Sequence, residues 1–433
     1  MGGKKMKKFV VFILALAMVF SVTVMASASE PVIVTVAGGA VGEELELTRK
    51  AAQMYMEDNP GIIVNVLDTP DMVEDRRGLY LQFFESESSR VDLYQIDVIW
   101  PGDMAEHFLD LYDYGAEEVV DMHFPAIVEN NTVDGKLVGI PWFTDAGLLY
   151  YRTDMLEKYD LDVPATWNEL EEAAQIIKDG EREDGNPDFQ GFVWQGGAYE
   201  GMVCNALEWL ASSNAGTIIS PEGEITVNNP RAAEIISQVA GWIGTISPTG
   251  VTGYAEEDAR SVWQSGNAAF MRNWPYAYSL SRAEDSPIRD DFDVTTLPAA
   301  EDGTPAHTLG GWQLAVSRYS ENPEIAADVA LFMAGYEAQL MRATDGSLNP
   351  TIAELYEHEE VLEANPFFGE LYEVFVNAVA RPSTISAPRY ADVSGAFVDE
   401  IHPVLRGRAD VEEALEYLEM SLMDITGLEP GTP

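Results

Sequence analysis

Short apolar runs alternate with amphipathic stretches in the first quarter of this 433-residue chain, and this alternation restricts the fold more than any other feature. Val32–Val36, Ile62–Val66 and Ile96–Ile99 are strand-like runs. The stretches at about 42–58 and 70–87 carry apolar side chains at helical spacing. A repeated order of strand, helix and strand is the signature of a parallel sheet covered by helices. The chain is therefore predicted to be an α/β protein.

Further helices are predicted from their start signals. Thr166-Trp167-Asn168-Glu169 has the pattern of a capping box, in which the first and fourth residues satisfy each other's backbone amides. Asn229-Pro230, Asn322-Pro323 and Asp410 each precede another helical pattern. The tail at 428–433 follows the last of these helices, and we expect it to be frayed.

The first 28 residues are predicted to be a secretory signal peptide. A lysine-rich start precedes an apolar run from Phe9 to about Val24, and Ala26-Ser27-Ala28 forms a cleavage site. The alternative is a membrane-anchoring helix, but the run is shorter than the roughly 20 residues that a span requires. The only cysteine is Cys204, so the segment lacks a lipobox cysteine and the chain cannot form an internal disulfide. We expect a periplasmic protein with an inert, buried thiol at Cys204.

The formal net charge of −48 makes nucleic acids and anionic membranes poor partners. Lysine is scarce in the predicted mature chain, which keeps only Lys50, Lys136, Lys158 and Lys178. Acid-rich, lysine-poor surfaces suit concentrated salt, because screening there weakens the repulsion between like charges. The composition therefore predicts a salt-adapted source, and the alternative is an acidic secreted protein without that adaptation.

Aromatic rings lie beside carboxylates, guanidinium groups or tight Gly/Pro turns in segments scattered along the chain. A sugar requires this mixture, because rings cover its C–H faces while charged planar groups bind its hydroxyls. The segments could converge in one cleft. They are Asp97–Gly102, Pro141–Asp145, Trp194–Gly197, Asn273–Tyr276, Gly310–Trp312 and Arg381-Pro382.

In these stretches the sequence resembles the extracellular solute-binding proteins of sugar ABC importers, and among them the trehalose/maltose-binding proteins. The stretches that carry the resemblance are Asp97–Trp100, Asp145–Arg152, Gly191–Gly196, Tyr199–Gly201, Gly266–Phe270, Asn273–Ala277, Thr308–Trp312 and Arg381-Pro382. It implies a periplasmic binding protein fold, in which two α/β lobes are joined by a multi-crossing hinge and a ligand cleft lies between them.

The resemblance also implies where the lobes divide. The first lobe would hold 29–141 and 296–337, and the second lobe would hold 146–292 and 345–433. Hinge crossings are expected near 142–145, 293–295 and 338–344.

The same resemblance implies a set of ligand-binding residues. One of them, Phe143, occupies a position where trehalose/maltose-binding proteins are expected to carry tyrosine, which puts the identity of the ligand in doubt. The set is Glu44, Arg76, Asp97, Phe143, Asp145, Trp274, Tyr276, Gly311, Trp312 and Arg381.

Three of the charged candidates also have a structural alternative. Asp97 and Asp145 could accept pairs of hydroxyl protons, with Arg76 and Arg381 keeping them ionised. Asp97 could instead cap a helix, and Glu44 could simply complement a helix dipole. Arg76 stands beside a second arginine, so the two could form a solvated pair.

The aromatic candidates have the core as their alternative. Trp274 and Trp312 each adjoin Pro or Gly, which lets a ring project from a turn. Tryptophans in helix-like patterns are predicted to be core instead, and Trp100 and Trp194 are undecided. The core set is Trp167, Trp209, Trp242 and Trp263.

No nucleophile elbow, phosphate loop or metal-ligand spacing supports catalysis, a metal or a cofactor. The resemblance therefore implies a monomeric receptor that captures an α-linked disaccharide, trehalose or maltose, and delivers it to a membrane permease. One alternative is the same fold with another oligosaccharide, an osmolyte, a polyamine or a peptide as ligand. The other is a secreted glycoside hydrolase, because 73 acidic residues make paired carboxylates easy to find.

Overall fold

A computed structural model of the chain describes residues 30–433, and the predicted signal peptide lies outside the described residues. A five-stranded sheet, here called the first sheet, opens the fold. Three strands from the start of the chain are parallel, whereas Leu309–Val316 runs antiparallel to both of its neighbours. The strand order is Ile62–Asp68, Val32–Gly38, Leu93–Asp97, Leu309–Val316 and Ile140–Ala146.

The second sheet has four strands in mixed orientation. Leu148–Arg152 is antiparallel to both of its neighbours, and only Ala268–Asn273 and Gln190–Val193 are parallel. The strand order is Phe292–Thr295, Leu148–Arg152, Ala268–Asn273 and Gln190–Val193.

Two short ribbons complete the strands. Thr132–Val133 pairs with Lys136–Leu137, and Glu429–Pro430 pairs with Glu224–Ile225. The prediction of a frayed tail is wrong, because Glu429–Pro430 pairs with this strand and the Gly431 amide donates to the carbonyl of Ile225 at 2.9 Å.

Helices cover both sheets, and the predicted starts before Pro230, Pro323 and Val411 are confirmed. The capping box is also confirmed, because the Thr166 hydroxyl accepts from the amide of Glu169 at 3.2 Å and the Glu169 carboxylate accepts from that of Thr166 at 3.0 Å. The helices are Glu44–Asp58, Val73–Glu85, Pro101–Met104, Pro125–Asn130, Thr153–Tyr159, Trp167–Glu183, Glu200–Ser212, Pro230–Trp242, Glu256–Gln264, Ala277–Ser281, Pro323–Met333, Tyr336–Gly346, Glu359–Ala364, Phe367–Glu370, Tyr372–Val376, Ser383–Ser386, Tyr390–Leu405 and Val411–Thr426.

The chain crosses between the sheets more than once, which divides it into two lobes. It leaves the first sheet at Gly147 and returns between 296 and 308. Helix Tyr336–Gly346 packs on helix Glu44–Asp58 beside the first sheet, so we assign both to the first lobe. Helix Tyr390–Leu405 packs on helices of the second lobe. The residue boundaries of the lobes stay a prediction.

Apolar side chains fill the interior of both lobes. The four tryptophans predicted to be core are buried, as are Trp100 and Trp194, so the open question about these two is answered in favour of the core. Within residues 30–433, no helix is both long enough and apolar enough to cross a bilayer.

Candidate ligand-binding cleft

A cavity lies between the two lobes and contains about 650 Å³ of atom-free space, part of it open to solvent. Side chains from both lobes line it, and nine of the ten predicted site residues are among them. These nine are Glu44, Asp97, Phe143, Asp145, Trp274, Tyr276, Gly311, Trp312 and Arg381.

Strand register explains how distant segments meet at this cavity. Asp97 ends its strand and lies opposite Trp312 of the neighbouring strand. Trp312 in turn lies opposite Phe143, which belongs to the strand Ile140–Ala146. Asp145 lies opposite Gly310 in the same ladder. The sheet therefore brings residues separated by more than 150 positions to one edge.

The backbone conformation at position 311, on this edge of the sheet, requires a glycine. Its φ is +121°, a conformation that side chains with a Cβ rarely adopt. A Cβ there would lie 2.5 Å from the carbonyl oxygen of Phe143. Gly311 therefore permits the close approach of two strands, and its backbone rather than a side chain borders the cavity.

Each cleft tryptophan is backed by an arginine. The guanidinium carbon of Arg76 lies 4.4 Å from the ring centroid of Trp312, and that of Arg272 lies 3.9 Å from the ring centroid of Trp274. Trp274 also donates its indole N–H to Glu256 at 3.3 Å. These contacts fix the rings, so the ring surface available to a ligand lies on the cavity side.

Arg381 joins acids of the two lobes. Its Nη2 donates to Asp97 at 3.0 Å and its Nη1 donates to Glu200 at 2.9 Å. The Tyr390 hydroxyl donates to the same Glu200 carboxylate at 2.6 Å, and Glu74 accepts from the Glu200 backbone amide at 2.7 Å. Asp97 and Glu74 belong to the first lobe, so this network crosses the cleft.

Of the four buried acids that line the cavity, Glu44 and Asp145 form no ion pair within residues 30–433. Gln95 donates to Glu44 at 3.1 Å, and burial raises the pKa of Glu44. Burial also raises the pKa of Asp145 well above its usual value, and the charges of Glu44 and Asp97 raise it further. Oδ1 of Asp145 is buried without a hydrogen-bond partner among the described residues. Both carboxyl groups therefore gain from a ligand hydroxyl that bonds to them.

Arg76 is placed differently from the other nine predicted residues. It is fully buried behind Trp312, and its Nε donates to the carbonyl of Pro70 at 2.9 Å. The alternative of a solvated arginine pair is therefore wrong for Arg76, whereas Arg77 stays half-buried with its Nη2 3.8 Å from Asp103.

Two other expectations concern Cys204 and metals. Cys204 is buried as predicted, but it also borders the cavity, and burial raises the pKa of its thiol. In the part of the chain that the structure describes, no group of three or more His, Cys, Asp or Glu side chains could hold a metal ion.

Comparison with known proteins identifies the family. Residues 41–340 match the family described as bacterial extracellular solute-binding protein. A relative from Deinococcus radiodurans, described as a probable ABC transporter-binding protein, is 48% identical over 423 residues, which cover 98% of this chain and 99% of the relative. The chain belongs to the bacterial extracellular solute-binding proteins.

Solved structures confirm the periplasmic binding protein fold. The maltose-bound MalE3 of T. maritima matches with a TM-score of 0.86 and 38% identity, covering 91% of this chain and 99% of that one. The GacH receptor of Streptomyces glaucescens, solved in complex with acarbose, matches with a TM-score of 0.82 over 92% of this chain and 99% of that one. Its identity of 20% shows the fold alone.

Four further acidic or aromatic residues line the cavity of this solute-binding protein. Glu200 lies in the first turn of its helix, where an acid is ordinarily explained by the helix dipole. The sequence Tyr199-Glu200-Gly201 belongs to the resemblance and was the available signal for two of the four. No local signal distinguishes Asp71 and Glu256 from the many other acids. The four are Asp71, Tyr199, Glu200 and Glu256.

Proposed function

We propose that this protein is the substrate-binding component of an ABC sugar importer. It captures an α-linked disaccharide, trehalose or maltose, between its lobes in the periplasm. The monomeric protein then delivers the sugar to a membrane permease, and no bond of the sugar is broken.

One observation carries the proposal: two arginine-backed tryptophans and a set of buried acids face the same cavity between the lobes. Ring faces suit the C–H surfaces of a pyranose, and carboxylates suit its neighbouring hydroxyls. A neutral ligand needs no countercharge of its own, because Arg381 already pairs with Asp97 and Glu200.

The assignment of a disaccharide as the ligand rests on the similarity to a maltose-bound protein and on the side chain of Phe143. The maltose-bound relative, at 38% identity, supports an α-linked glucose disaccharide. Phe143 lines the cavity with a ring that lacks a hydroxyl. A site that loses one hydroxyl partner changes its preference between similar sugars, so trehalose and maltose both belong in the test.

A cationic solute is the second candidate, and the charge of the cavity wall favours it. Six acids line the cavity, whereas Arg381 is the one cation among the lining residues that the structure describes. A polyamine or a quaternary ammonium osmolyte would find acids and aromatic rings together. The acids are Glu44, Asp71, Asp97, Asp145, Glu200 and Glu256.

Tryptophan fluorescence titration separates these candidates, because Trp274 and Trp312 line the cavity. The ligands are trehalose, maltose, sucrose, glucose, spermidine and glycine betaine, each added to purified protein without its signal peptide. Saturable responses to trehalose or maltose support the proposal. No response to any sugar, together with a response to spermidine or betaine, would replace it with the second candidate.

Product analysis tests the absence of sugar cleavage. The protein is incubated with each disaccharide, and the mixture is then analysed for glucose. Saturable binding without released glucose supports the receptor, whereas turnover would support a glycoside hydrolase.

A further inference from the structure

A second layer of buried arginines lies behind the aromatic wall of the cavity. Arg76 backs Trp312 and Arg272 backs Trp274, as described above. Arg342 completes the layer: its guanidinium carbon lies 3.9 Å from the ring centroid of Trp142 and 5.0 Å from that of Phe143.

Arg342 differs from Arg272 in its partners, whereas Arg76 likewise forms no ion pair within residues 30–433 and has Nη1 and Nη2 buried without a partner there. Arg272 forms a buried bidentate pair with Glu208, with Nε–Oε2 at 2.9 Å and Nη2–Oε1 at 2.5 Å. Arg342 forms no direct ion pair within residues 30–433, and its only hydrogen bond is a long one of 3.4 Å from Nη1 to the Thr48 hydroxyl. Its Nε and Nη2 are buried without a partner among the described residues.

The side chain of Arg342 is 1% exposed and still carries its charge at neutral pH, because burial lowers its pKa only to about 9. A buried charge without a partner is costly, so its retention requires compensation from nearby groups. The negative charges that compensate it are those of Glu44 and Asp145, two cavity acids that lack an ion pair.

The surroundings of Asp145 identify Arg342 as one of two cations that act on it. Arg272 is committed to Glu208, which leaves Arg342 as the cation without an acid of its own. Tyr150 and Tyr356 also face Asp145. The charged groups that act on Asp145 are Glu44, Asp97, Arg272 and Arg342. Those that act on Glu44 are Arg76, Arg342 and Asp71, and Arg76 has the larger effect of the two arginines.

We propose that Arg342 is a positioning residue of the sugar site, an inference that rests on the proposed function. It packs against the ring of Phe143. Its buried charge adds to that of Arg76, which acts on Glu44, and to that of Arg272, which acts on Asp145, so that both acids can accept ligand hydroxyls. Arg342 does not line the cavity, so it acts on the ligand through Phe143, Glu44 and Asp145.

The pH dependence of sugar affinity distinguishes this role from simple packing. A nearby cation favours the ionised form of a carboxyl group, so removal of Arg342 raises the pKa of Asp145 and Glu44. In R342M the loss of affinity on acidification is expected to begin about one pH unit higher than in the wild type. At pH 8 we expect about tenfold weaker binding of the preferred disaccharide.

Two variants serve as controls. R342K retains the charge but loses the planar stack, so we expect weaker binding at every pH. Its loss of affinity on acidification should begin at the same pH as in the wild type. R49M removes an exposed arginine from the helix that also carries Thr48, and we expect wild-type affinity and pH profile. If R342M does not fold, R342K carries the test. A loss of affinity that begins at a different pH in R342K than in the wild type would then overturn the proposal.

A second readout needs no sugar. The attraction between Arg342 and the two acids exists only while the acids are ionised, so it is present at high pH and is lost as the pH falls. The difference in melting temperature, wild type minus R342M, should therefore be larger at pH 8 than at pH 5. A difference that does not change with pH would overturn the inference, whereas failure of the wild type to bind any sugar would overturn the proposed function instead.

Discussion

Removal of the Trp312 ring tests the aromatic wall of the cleft. One face of this ring is covered by Arg76, and its centroid lies 5.8 Å from that of Trp100 in a T-shaped arrangement. The ring lines the cavity with the surface that these contacts leave free. We take that surface as roughly a third of the area that an aromatic side chain buries, about 60 Å². Loss of this contact costs about 1.5 kcal/mol at about 25 cal/mol per Å², and loss of stacking costs about 1 kcal/mol more.

W312A is therefore expected to bind the preferred disaccharide about 70-fold more weakly than the wild type, which corresponds to about 2.5 kcal/mol. W312F keeps a ring in the same place and should lose less than about fivefold. Isothermal titration calorimetry measures both affinities, and circular dichroism confirms that each variant is folded. A folded W312A that binds within about threefold of the wild type would refute the stacking role.

Three further predictions concern the residues that hold the site together and the charge of the protein surface. R381M leaves Asp97 and Glu200 buried without their cation, so it should lower the unfolding free energy by about 3–5 kcal/mol. R381K keeps a positive charge and should recover part of this loss. A change below about 1 kcal/mol in urea unfolding of R381M would contradict the pairing. G311A should lower the melting temperature, because position 311 has a φ of +121°. The matched control is G78A, which lies in a helix with open space around the position. G78A should raise the unfolding free energy by about 1 kcal/mol. The net charge of −48 predicts a higher melting temperature in molar NaCl than in low salt, and equal values in both would contradict salt adaptation.

Local signals in the sequence were sufficient for most helices and strands. The capping box at Thr166 and the Asn-Pro pairs before two helices act within a few residues of themselves, so no tertiary information was needed. The tail at Glu429–Pro430 shows the limit of this reasoning. Its ordering depends on a strand more than 200 positions earlier, which no local rule detects.

The candidate site was predictable only in part for the same reason. Asp97 stands at a strand end and Trp274 directly follows a strand, which are recognisable positions for ligand contacts. The expectation that Trp312 projects from a turn is wrong, because it lies inside the strand Leu309–Val316 and is paired on both sides. Arg272 and Arg342 lie behind the wall, and their roles follow from contacts made across the fold. An arginine inside the apolar strand Ala268–Asn273 is a signal for a buried pair, but the sequence does not name its partner.

The most direct test of sugar binding is a calorimetric titration of the purified wild-type protein with trehalose and with maltose. We expect saturable binding of at least one of them with a stoichiometry of about one, and weaker binding of glucose, which fills only half of the contacts. The absence of measurable heat with both disaccharides, in protein shown to be folded, would contradict a sugar receptor.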